Sequence, residues 1–162
     1  MNFYAGSMIS LLMIIIFLFG CGEKPNTEHS TPVDISILRQ WDGDYPVEAI
    51  EKLPAKQRDL PVGYFSDQES FNKVWTGFKP DEELPEVNFD ENMVVYYRNI
   101  TYYNRTAIFK VTLNEGVLEV LARETMSAMP IEEKAAMSMV VIPRTGIKFI
   151  RSGDQKIEVQ ID

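Results

Sequence analysis

Along the chain, hydrophobic and polar positions alternate with period two in several short runs and with helical period in one. Ser66 to Phe78, "SDQESFNKVWTGF", places Phe71, Val74, Trp75 and Phe78 at i, i+3, i+4 and i+7. Ser66 with Glu69 three residues later reads as a capping box, so the spacing predicts one amphipathic helix over about Asp67 to Phe78. Its aromatic stripe is the width of a face packed on a sheet. After the polar stretch "KPDEELPEV", strand signals dominate. Asn92 to Arg98 is "NMVVYYR", and in "RTAIFKVTL" Ala107, Phe109, Val111 and Leu113 alternate with polar partners as an inward-facing set. Asn114-Glu115-Gly116 reads as a three-residue turn with glycine at positive φ, and "VLEVLARET" as the returning strand. "MSMVVIP", Met137 to Pro143, is a further strand. A last hairpin runs from "IKFIR" through Ser152-Gly153-Asp154 into "KIEVQI". Upstream, "ISILRQW" alternates weakly, and the proline-punctuated segment to Pro61 reads as loop with short strands. The fold class expected is α+β, with one amphipathic helix packed on an antiparallel β-sheet in a single globular unit over residues 34–162.

The N-terminus follows a different rule. Met8 to Gly20, "MISLLMIIIFLFG", is an unbroken apolar run too short to span a bilayer but of signal-peptide length. It ends at Leu18-Phe19-Gly20-Cys21, which resembles the lipobox of bacterial lipoproteins, and Cys21 is the only cysteine of the chain. The resemblance implies cleavage after residue 20 and a covalent lipid on Cys21; no cofactor besides that lipid is expected. With Gly22 rather than aspartate after the cysteine, it favours the outer over the inner membrane. Polar, proline-bearing residues follow to Val33, so 21–33 reads as a lipidated cysteine and flexible tether. Two or more acyl chains suffice to hold such a domain on a membrane.

Composition narrows the chemistry. Sixteen Lys and Arg against 24 Asp and Glu give a net charge of −8, and no basic cluster offers a nucleic acid its phosphate contacts. The only histidine, His29, lies in the tether, where it cannot be held against a nucleophile or complete a zinc site. Ser127 and Lys134 belong to no nucleophile motif. Asp81, Glu82, Glu83, Glu86, Asp90 and Glu91 match no EF-hand spacing and read as a solvated loop. The chain is therefore expected to be non-catalytic.

Two surfaces remain as candidates. Tyr96, Tyr97, Tyr102 and Tyr103 bracket a strand end, and tyrosine is favoured at protein interfaces. Alternatively, Met126, Met129, Met137 and Met139 supply thioethers suited to Cu(I) or Ag(I), and a hairpin over Thr125 to Met139 would set Met126 across from Met137.

From residue 64 to 160 the order of signals is a helix bearing tryptophan, "LPEVNF" at Leu84 to Phe89, "ENMVVYY", an alternating hairpin and a closing "MVVIPRT". This order resembles the C-terminal domain of the PrcB family. The resemblance implies a secreted or lipid-anchored bacterial protein acting as a protein-binding or assembly module, plausibly an accessory subunit of an envelope or secreted protease complex. Pro85 would end the loop, Val87 and Phe89 would plug the sheet end, and Asn88 would bond its own backbone.

Overall fold

The computed structural model describes residues 30–125 and 129–160. The signal peptide, Cys21, most of the tether, Met126 and Ser127 lie outside the described residues.

Helix α1, Gln68–Phe78, buries Phe71, Val74, Trp75 and Phe78, the four positions of the predicted stripe. Its cap is Asp67 rather than Ser66: Asp67 is extended and its Oδ1 accepts the Ser70 N–H at 2.7 Å. Glu69 therefore falls in the first turn, where it favours the helix dipole and pairs with Lys73.

The strands are β1 Val33–Asp34, β2 Arg39–Pro46, β3 Val62–Phe65, β4 Asn92–Arg98, β5 Thr106–Asn114, β6 Val117–Glu124, β7 Lys134–Pro143, β8 Phe149–Ser152 and β9 Gln155–Glu158. They form two sheets rather than the one expected. A four-stranded antiparallel sheet has the order β2-β7-β4-β3, and a five-stranded sheet the order β1-β5-β6-β8-β9. The pairing of β6 with β8 is parallel, because the chain crosses from β6 to β7 in the other sheet before returning as β8. Between β2 and β3 the expected loop carries two 3₁₀ turns, Val47–Lys52 and Ala55–Gln57.

The reason for the second sheet lies in β4 and β7. On one face of the four-stranded sheet Val94, Tyr96, Met137, Met139 and Val141 pack against α1. On the other, Met93, Val95, Val140 and Ile142 are equally apolar and equally buried, and they meet Ile108, Val111, Leu118, Val120 and Ile150 of the second sheet. A helix can cover only one face, so the other needs a second layer. The molecule is thus layered helix, sheet, sheet.

Three local readings change for physical reasons. The β5–β6 register shifts between Ile108 and Lys110, a bulge that inserts Phe109 and switches the inward set from Thr106 and Ile108 to Val111. Phe109 is consequently exposed instead of facing inward. The β5–β6 turn has two residues, not three: Asn114 pairs with Val117, and Glu115 and Gly116 both take positive φ, as a type I′ hairpin requires. Finally, Thr125 to Met139 is not a hairpin, since β7 pairs with β2 and β4 in the other sheet.

"LPEVNF" behaves as read: Val87 is buried and Phe89 half-buried against the helix-side core, with Phe71 and Phe89 ring centroids 6.1 Å apart. Asn88 Oδ1 accepts the Asp90 N–H at 3.1 Å.

Gly63 lies directly opposite Tyr96 in the β3–β4 ladder, and the Tyr96 ring and the Gln57 side chain occupy the space a Cβ would need. Gly63→Ala is expected to lower stability by about 1–3 kcal/mol, the usual cost of overpacking, measured as a lower urea midpoint at unchanged slope. An unchanged midpoint would contradict this packing.

Candidate partner-binding rim

The four tyrosines do not form one surface. Consecutive residues of a strand point to opposite faces, and both faces of β4 are covered, so Tyr96 and Tyr97 both turn inward. Tyr96 is fully buried in the helix-side core, its ring 5.3 Å from that of Phe65. Burial pushes its hydroxyl well above the usual tyrosine range. Tyr97 is half-buried against the core between the sheets, and burial, with the Glu124 carboxylate beside it, raises its pKa to about 12. These two are packing residues. Tyr102 and Tyr103, beyond the end of β4, are the ones that reach the surface.

The loop that presents them is fixed from several sides. Asn99 is buried, and its Oδ1 accepts the N–H groups of Thr101 at 2.8 Å and Tyr102 at 2.9 Å. Its Nδ2 donates to Glu124 Oε1 at 2.7 Å, and its backbone N–H to Ala136 O at 3.1 Å. Downstream, the Tyr103 N–H donates to Met129 O at 3.1 Å, and Tyr102 and Pro130 form an isolated antiparallel bridge. The Tyr103 hydroxyl donates to Asp44 Oδ2 at 3.1 Å, which raises its pKa. On this frame Tyr102 is 49% exposed, Ile100 43% and Met129 59%, an apolar rim whose backbone is already ordered.

Tyr103 separates two grooves. One, of about 530 Å³, runs between Asp42 and Asp44 of β2 and Arg105, Thr106, Arg123 and Thr125 at the β5–β6 end. The other, of about 280 Å³, lies between Met129, Pro130 and Glu132 to Lys134. The arginines and Met129 escaped sequence reasoning as members of this site. Arg105 follows Tyr103 by two residues, whereas Arg123 comes near through β5–β6 pairing and Met129 through the Tyr102–Pro130 bridge, neither of which local spacing encodes.

The rim and the start of the described chain occupy opposite ends of the sandwich. Ser30 Oγ donates to Asn114 and Glu115 at the β5–β6 turn, and β1 pairs with Thr112 and Leu113. Tyr102 and Tyr103 precede the other end of β5. Nine residues of strand therefore separate the two, roughly 27 Å at about 3.4 Å per residue.

A wider cleft, about 1110 Å³, is at the Ser30 end, where Arg39 and Arg144 face the "LPEVNF" loop. Arg39 Nη1 donates to Glu86 O at 3.1 Å and Arg144 Nη1 to Phe89 O at 2.5 Å. Gln68 Oε1 accepts the Val87 N–H at 3.4 Å. These side chains hold the loop against α1, which accounts for their arrangement structurally.

Of the methionines, Met137 and Met139 share the helix-facing side of β7 and are fully buried in that core, whereas Met129 is at the surface. The hairpin that would have set Met126 across from Met137 is absent, because Met137 pairs with Gly43 and Arg98, and Met126 itself lies outside the described residues. Among the described residues no group of three or more His, Cys, Asp or Glu is arranged to hold a metal, and no helix is long and apolar enough to cross a membrane. Comparison of the chain with protein-family models, curated proteins and solved structures finds no match.

A pH dependence follows from the buried phenols. Burial raises Tyr45, as well as Tyr97, to about 12, and Tyr96 moves in the same direction. Between the unfolded value near ~10 and the folded one, the unfolded chain has lost protons that the folded chain retains. Stability is therefore full below that window and falls as pH rises through it. The urea midpoint is expected to drop progressively above about pH 10, less steeply in Tyr97→Phe; a flat profile to about pH 11.5 would contradict the burial of these hydroxyls.

Proposed function

We propose that this chain is a membrane-anchored bacterial lipoprotein whose folded domain is a non-catalytic protein-binding or assembly module. In this reading Cys21 carries the lipid and the tether reaches the domain at its Ser30 end. The domain serves as an accessory subunit of an envelope or secreted protease complex, the role implied by the resemblance of residues 64–160 to the PrcB family. The outer membrane is the favoured site.

The observation that supports this most is the rim itself. Tyr102, Ile100 and Met129 are exposed, apolar or aromatic, and held by Asn99, Pro130 and Asp44 at the end of the sandwich away from the chain's entry. An ordered backbone has little freedom left to lose on binding, and tyrosine and methionine are both enriched in protein interfaces. A flexible tether attached at the opposite end leaves the rim able to turn away from the bilayer. The lipid holds the domain on the membrane, and the exposed rim is the surface it offers to a partner.

Affinity capture of the C-terminally tagged full chain from membranes of its own cells, followed by mass spectrometry, tests both parts. Wild type should label with radiolabelled palmitate and recover a protease or its precursor in near-equal amount. Cys21→Ser should lose the label, and Tyr102→Ala should lose the partner while keeping the label. Palmitate labelling of Cys21→Ser equal to wild type would remove the anchor; a partner retained by Tyr102→Ala would remove the rim.

A further inference from the structure

Of the cations in the described part of the chain, Arg58, Lys73, Lys79, Lys110 and Arg151 are paired with carboxylates. Arg105 and Arg123 are among those without an ion pair among the described residues, and they are two that lie side by side on one groove. Both are exposed, and both line the groove beside Tyr103. In the β5–β6 ladder Arg123 lies opposite Ala107, and the Thr125 N–H bonds Arg105 O, so Arg105 and Arg123 are diagonal neighbours on the outer face of the five-stranded sheet. The Arg123 guanidinium sits over the exposed Phe109 ring at 5.3 Å, which orients it without neutralising it.

The facing wall is acidic but already supplied with donors. Asp42 Oδ1 accepts from the Ser138 hydroxyl at 2.6 Å and from Gln40 Nε2 at 3.1 Å, and Asp44 accepts from Tyr103. Neither guanidinium has a carboxylate in ion-pair reach among the described residues, so each is available to give an arriving carboxylate a bidentate fork.

We infer that the groove between Tyr103 and the Arg105–Arg123 pair docks an extended acidic segment of a protein partner. Its Asp or Glu carboxylates sit on the two guanidiniums, and an adjacent apolar side chain packs on Tyr102 and Met129. The site lies a strand's length from where the chain enters, which sets it away from lipid headgroups at the anchored end. This inference rests on the reading of the rim as a partner surface and specifies the chemistry of what binds there.

The test is selection of a random peptide library on the full chain in detergent, followed by fluorescence anisotropy with the selected peptides. Selected peptides should carry Asp or Glu next to an aromatic or aliphatic residue and should weaken as salt rises from ~50 to ~500 mM. They should bind at least ~10-fold more weakly to Arg105→Glu/Arg123→Glu and several-fold more weakly to Arg105→Gln/Arg123→Gln. Both arginines are exposed, so unchanged urea midpoints should accompany these losses. Peptides without acidic residues, or binding indifferent to both arginine variants but lost in Tyr102→Ala, would overturn the inference and leave the rim intact. No selected binder, or binding indifferent to Tyr102→Ala as well, would remove both.

Discussion

The constraint on which everything else rests is that β4 and β7 are apolar on both faces. Met137, Met139 and Val141 point to the helix, and Val140 and Ile142, on the same strand, point the other way, all of them essentially excluded from solvent. At roughly 25 cal/mol per Å² of apolar surface, leaving either face wet would cost more than a small domain's net stability. One helix answers one face, and the second sheet answers the other. The helix side is filled by aromatic rings, Trp41 packing edge-on to Trp75 at 5.2 Å and Phe71 touching Trp41, Phe65 and Phe89. The sheet side is filled by aliphatic side chains, as suits two pleated surfaces about 10 Å apart.

Two sheets that meet through aliphatic side chains need something directional to fix their relative position, and the β5 bulge provides it. Its Ile108 backbone bonds to side chains of the other sheet: the N–H to Ser138 Oγ at 3.0 Å and the C=O to Gln40 Nε2 at 2.9 Å. Ser138 is fully buried and in turn donates to Asp42. The bulge thus leaves polar groups that only one placement of β2 and β7 satisfies, since an unpaired buried backbone group would cost about 1–3 kcal/mol. The same placement brings Asp44 of β2 to Tyr103 and opens the groove toward Arg105 and Arg123. The geometry of the rim is in this sense a consequence of how the two sheets are locked together.

How much of this was legible in the sequence depended on whether the signal was local. The helix was, because Phe71, Val74, Trp75 and Phe78 carry its period. The Asn88 turn and the glycine-bearing hairpins were too, because side chain and backbone act within a few residues. The second sheet was foreshadowed by the near-continuous apolar run in β7, broken only by Ser138 between Ala135 and Pro143, which signals burial on both faces, yet nothing local says whether helix or sheet supplies the cover. The bulge at Phe109 is invisible to a period-two reading, which assigns that residue inward. For the candidate site, the sequence placed Tyr102 and Tyr103 at a strand end but could not separate them from Tyr96 and Tyr97, because exposure there is set by layers contributed from elsewhere in the chain. Arg123 and Met129 join the rim only through β5–β6 pairing and the Tyr102–Pro130 bridge, whereas Arg105 was adjacent in sequence and went unread.

Taken together, the layered fold presents two distinct ends: one where the chain enters from the direction of Cys21, and one where an ordered apolar rim faces outward. The most direct measurement of that polarity is photo-crosslinking in intact cells, with a benzophenone side chain introduced in place of Tyr102 or, for comparison, in place of the exposed Leu38 at the entry end. A discrete protein adduct from position 102 and none from position 38 is the expected result. An adduct from position 38 alone would mean that the domain meets its partner through the end assigned here to the tether.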